Sequence, residues 1–232
     1  LIVTFYLFEG YLSSFNIEKQ LLKKVKTYET NTKKKYDTRT KFEIYKDLKR
    51  NDKNIKVSLS GQFHIGQNNQ FYLLSGISNS KTIHCNENGY YSIYQSDRYG
   101  FNNPDAEWDS ESIEYLLVGD SFTHGACVDR PHDISSNLRL FSNQSVLNLG
   151  YSGNGPLIKY ATLREYLNSN VKKVLWVYYD GNDLQDLHEE IKDEKLKKYL
   201  NNLEFSQKLK SKQKELDDLG NKIINSNINV EK

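Results

Sequence analysis

Three short apolar runs recur at nearly constant spacing in the second half of the chain, and each ends in a polar loop containing glycine. Tyr115–Val118 runs into Gly119-Asp120-Ser121, Val146–Leu149 into Gly150-Tyr151-Ser152-Gly153-Asn154-Gly155-Pro156, and Val174–Tyr179 into Asp180-Gly181-Asn182-Asp183. Ser121 and Gly153 lie 32 positions apart, and Gly153 and Asn182 lie 29 apart. Each interval fits one strand–helix–strand step of roughly thirty residues. Ile134, Leu138 and Phe141 fall at helical spacing in the first interval. In the second, Pro156 suits a first helical turn, with Leu157, Tyr160, Ala161 and Leu167 facing inward. Alternation of this kind predicts right-handed crossovers and a parallel sheet. All three loops then emerge on one edge, the edge at which open α/β sheets bind ligands.

The residues on that edge suit acyl chemistry. A serine hydroxyl attacking an ester carbonyl creates a tetrahedral oxyanion, and fixed donors aimed at that charge lower the barrier by several kcal/mol. The backbone N–H of Ser121, the backbone N–H of Gly153 and the side-chain amide of Asn182 are three such donors. Glycine at 153 removes the side chain that would block the main chain, and asparagine at 182 donates where aspartate could only accept. Asp120 is expected to brace the turn rather than to act as a base.

The blocks GDSFTHG, NLGYSGNGP and YYDGNDL resemble, in order and spacing, the first three blocks of the SGNH/GDSL hydrolases. The match runs from Ile113 to about Leu184. The resemblance implies a flavodoxin-like three-layer α/β/α sandwich, here partial. It also implies an esterase or acylhydrolase working through an acyl-enzyme on Ser121, with Gly153 and Asn182 in the oxyanion hole. The preceding segment, Ser96 to Pro104, resembles the lead-in of membrane-anchored members. Two features depart from the pattern: glycine adjoins asparagine in the third block, and the closing Asp-x-x-His that supplies the base has no counterpart after Asn182. Asp129-Arg130-Pro131-His132 has the letters, but it stands 11 residues after Ser121 and ahead of the first helix. His124 reads as a variable residue of the first loop and His188 as a helix-surface residue, while His64 and His84 lack a readable acidic partner. The expectation is a base contributed from beyond Lys232 and, without it, weak activity at best. An O-acyltransferase modifying a surface polysaccharide and a catalytically silent interaction module are the alternatives.

The rest of the chain divides by composition. Residues 1–15 are mostly apolar and read either as the end of a membrane helix or signal segment, or as a buried N-terminal element. The first would make the protein membrane-associated, the second leaves it cytoplasmic. Residues 16–54 form a charged helical linker carrying Lys33-Lys34-Lys35, and residues 55–112 a lead-in of short strands and loops. Residues 113–232 are the hydrolase-like segment, with a polar end lacking periodicity after Ile223. With 32 basic and 30 acidic residues, the chain has no electrostatic footprint for nucleic acid. The expected ligand is a small-molecule, glycan or lipid ester. Cys85 and Cys127 have no metal-ligand spacing and leave the question of a disulfide open. No cofactor is expected.

Overall fold

The computed structural model describes residues 2–64, 66 and 69–230. α1 (Ile2–Thr32) leads into α2 (Lys41–Lys49). α2 is opened by a capping box: the Glu43 N–H donates to Thr40 Oγ1 (3.2 Å) and the Thr40 N–H to the Glu43 carboxylate (2.7 Å). Such reciprocal bonds satisfy amides that a helix start leaves open. Among the described residues no helix is long and apolar enough to cross a membrane. The packing of residues 1–15 lies outside the described side chains, except that Tyr6 is exposed.

The lead-in forms a small sheet in which β1 (Ile55–Val57) pairs parallel with β2 (Lys81–Ile83), and β2 antiparallel with β3 (Ile93–Gln95). A 3-10 helix, Gly61–His64, follows β1. Phe71–Leu74, an apolar run of strand length, is not a strand. Its Tyr72, Leu73 and Leu74 are buried among Phe101, Trp108 and Leu116. Residues 55–112 and residues 113–232 therefore share one core.

The second sheet contains β4 (Ile113–Val118), β5 (Val146–Asn148) and β6 (Val171–Trp176) in the order β5-β4-β6, with both pairings parallel. This is the arrangement expected from the three spaced runs, and the chain is a mixed α/β protein. A short helix α3 (Ser121–His124) follows β4, then α4 (Ile134–Ser142), which packs on β5. α5 (Pro156–Tyr166) starts with proline in its first turn and packs against β4. α6 (Asp183–Glu190), α7 (Glu194–Asn201) and α8 (Gln213–Val230) complete the order. The polar C-terminal stretch is helical to Val230. Leu216 and Ile223 enter the main core and Ile224 the core of the first sheet, a stripe interrupted in the sequence by Asp217, Asp218, Asn221 and Lys222.

β6 is an edge strand whose residues from Lys172 to Trp176 are all exposed. Of the expected inward face of α4, Ile134 (46%) and Phe141 (82%) also stand exposed, because among the described residues no element covers that side of the helix.

Candidate active site

Ser121 is the first residue of α3, directly beyond the carboxyl end of β4. Asp120 caps the helix by accepting from the Phe122 N–H (3.1 Å), the bracing role read from the sequence. The Ser121 side chain is exposed, and among the described residues its hydroxyl carries no hydrogen bond and its N–H no acceptor.

Gly153 lies at the carboxyl end of β5 with φ +77°, a left-handed conformation that favours glycine. A Cβ there would also meet Ser60 Oγ at 1.9 Å. The loop is held to that of Ser121 where the Tyr151 N–H donates to the Gly119 carbonyl (3.2 Å). Asn182 holds the N-cap position of α6 beyond β6, without a side-chain cap bond. Its Nδ2 donates to the Asp186 carboxylate (2.9 Å), and its Oδ1 is buried without a partner. A carboxylate can only accept, so this bond fixes which end of the carboxamide is the donor. Phe122 and Tyr179, with ring centroids 5.3 Å apart, close the gap between the first and third loops. Asp186 lies against the second, where a Cβ on Gly155 would meet its Cβ at 2.6 Å. The parallel register thus brings Ser121, Gly153 and Asn182 to one sheet edge on three adjoining loops.

Buried charge ties the loops together. Lys159 on α5 and Asp183 beside Asn182 form a fully buried ion pair (2.6 Å), and Asp183 also accepts from the Tyr179 N–H (3.1 Å). The Glu190 carboxylate takes the N–H groups of Gly155 (2.6 Å), Leu157 (2.7 Å) and Ile158 (3.3 Å) at the start of α5. Burial pushes Glu190 up to about 7 against those bonds. Burial also raises Asp186, with Asp183 and Asp120 adding to the effect and a bond from Gln62 opposing it.

Behind the three loops lies a cluster that the linear sequence hides. His124, at the end of α3, is fully buried. Its Nδ1 accepts from the Ser152 N–H (3.1 Å), so its proton sits on Nε2, 2.9 Å from the Tyr94 hydroxyl. His84 from the lead-in lies tilted against it, with ring centroids 3.9 Å apart and an interplanar angle of 37°, and His84 Nε2 is 2.8 Å from Ser152 Oγ. Burial first, then Lys41, pushes His84 down to about 3; burial and the neighbouring His84 hold His124 well below its ordinary value. Both imidazoles are neutral spacers, occupied with each other and with Ser152. The Cys85–Cys127 disulfide pins the same two segments together. Of the remaining histidines, His132 and His188 are exposed and His64 is buried beside Tyr72. None is bonded to Ser121.

The lead-in loop forms the back plate. Asp97, fully buried, accepts from Asn103 Nδ2 (2.9 Å), Trp108 Nε1 (2.7 Å) and the N–H groups of Tyr99 and Phe101. Asn103 in turn brackets Asn148 at the end of β5, and Asn102 donates to the His124 carbonyl (2.9 Å). No protein-family model, curated protein or solved structure matches this chain.

Proposed function

We propose that the chain is a serine-dependent acyl hydrolase of SGNH type, with its parallel sheet belonging to a flavodoxin-like sandwich. Ser121 Oγ attacks the ester carbonyl, the alkoxide leaves with a proton, and water later releases the acyl group from the serine. The oxyanion formed in each half-reaction is met by the N–H groups of Ser121 and Gly153 and by Asn182 Nδ2. One observation carries the reading: an exposed, unbonded serine hydroxyl and two undonated main-chain amides occupy the carboxyl ends of adjacent parallel strands. The mechanism requires a proton acceptor beside Ser121. No described histidine occupies that place, and the uncovered side of β6 leaves room for one to approach.

A fluorophosphonate probe tests the assignment, because phosphonylation builds a charge like that of acyl transfer. With the required proton acceptor supplied beside Ser121, labelling is expected at Ser121 and absent in Ser121→Ala, while Asn182→Ala slows it about a hundredfold, the usual effect of losing one oxyanion donor. Equal labelling of the full chain and Ser121→Ala rejects the assignment.

A further inference from the structure

The 3-10 helix of the lead-in lies on the second loop, outside the three blocks that carry the chemistry. The Gly61 N–H donates to the Ser152 carbonyl (2.8 Å). In a trans peptide the carbonyl and the following N–H lie in one plane and point in opposite directions. Fixing the Ser152 oxygen therefore fixes the direction of the Gly153 N–H, which has no acceptor among the described residues. Gly61 is itself held from behind, since the buried Tyr72 hydroxyl donates to its carbonyl (3.0 Å). It also has no room for a side chain: a Cβ would meet Asn154 Oδ1 at 2.1 Å and the Gly153 carbonyl oxygen at 3.4 Å. The next residue, Gln62, lies near enough to Asp186, the acceptor that orients Asn182, to oppose the rise of its carboxyl. One turn of the lead-in thus reaches both donor loops.

We infer that Gly61 is a positioning residue for acyl transfer, aiming the Gly153 amide at the developing oxyanion through its bond to the Ser152 carbonyl. The inference rests on the hydrolase reading above. It gives the lead-in a role in the site: the strand-edge blocks supply the donors, and Gly61 sets the angle of one of them. A displacement of about 1 Å at such a donor can lower the rate on the order of a hundredfold.

Asn154 makes the idea testable. Its carboxamide is buried with neither polar atom bonded, so truncating it removes no hydrogen bond and opens space for a methyl group at position 61. Three variants of the full chain separate sterics from the hydrogen bond. Gly61→Ala is expected to lower the maximal rate of fluorophosphonate labelling at Ser121 at least tenfold, with the half-saturating probe concentration unchanged. Gly61→Ala with Asn154→Ala should return to within about threefold of the parent. Gly61→Pro with Asn154→Ala has the same room but lacks the N–H, and should stay slow. Melting temperatures of the two double variants provide the control for folding, and if the proline variant does not fold the alanine pair alone decides. A labelled parent with an unaffected Gly61→Ala, a slow Gly61→Ala that Asn154→Ala does not rescue, or a fast, folded proline variant each overturns the inference and leaves Ser121 in place. A parent that labels no better than Ser121→Ala rejects the function itself.

Discussion

The paired imidazoles behind the three loops predict a specific acid weakness. His84 is held down to about 3 by burial, whereas an imidazole in the unfolded chain titrates near 6.5. The folded protein therefore keeps His84 neutral at pH 5 while the unfolded chain takes up a proton. A depressed folded value means that the associated stability is present above about pH 6.5 and is lost as pH falls towards the folded value. Between pH 7 and pH 5 the unfolded state gains about 1.4 pK units of proton binding at this residue, worth roughly 2 kcal/mol. That figure requires only that the folded value lie below pH 5. His64, pushed down to about 4 by burial, adds a similar loss, and His124 acts in the same direction. Glu190 works against them: its folded value, raised to about 7, makes acid favour the native state. The net slope of the parent protein is thus a poor test, and a difference isolates His84. Urea denaturation of the parent and of His84→Gln at pH 7 and pH 5 is expected to show the parent losing about 2 kcal/mol more than the variant over that interval. Parallel losses would mean that His84 titrates in the fold as it does in the chain, and the buried neutral pair would have to be abandoned.

Lys159→Met strands the Asp183 carboxylate in a site where both partners are fully buried, so the variant should lose about 3–5 kcal/mol in denaturant titration; a loss under 1 kcal/mol would show that water or another cation reaches Asp183. Replacing both Cys85 and Cys127 by serine frees a crosslink spanning 42 positions and is expected to lower stability by about 4 kcal/mol on the loop-closure estimate, read as a drop in melting temperature relative to the oxidised parent.

The sheet was legible because its evidence is periodic. Strand length, crossover length and the polar residues after each strand are local properties, and they placed Ser121, Gly153 and Asn182 on one edge. Helix α4 was legible in place but not in packing. Ile134 and Phe141 have the spacing of an inward face, yet what a helix buries depends on its neighbours, and no periodicity reveals a neighbour that is not there. The supporting residues were illegible for a different reason. His84 and His124 meet across forty positions that include β3 and β4, and Gly61 reaches Ser152 across ninety-one. Such contacts are created by docking the lead-in onto the sheet, so neither residue shows in its own surroundings what it will touch. The fused loop Ser96–Pro104 gave a partial signal, since its Asp, Asn and Gly residues announce a structured turn without naming Asn148 or Trp108 as partners.

The bare flank of β6 also places an optical reporter in the molecule. The chain has two tryptophans: Trp108 is enclosed, while Trp176 stands 41% exposed at the strand end nearest Asn182. Any segment, substrate or second protein that settles along this strand must desolvate the Trp176 indole while leaving Trp108 in its own surroundings. Emission maximum and quencher accessibility therefore give a label-free signal of occupancy at the third loop, readable before any turnover is known.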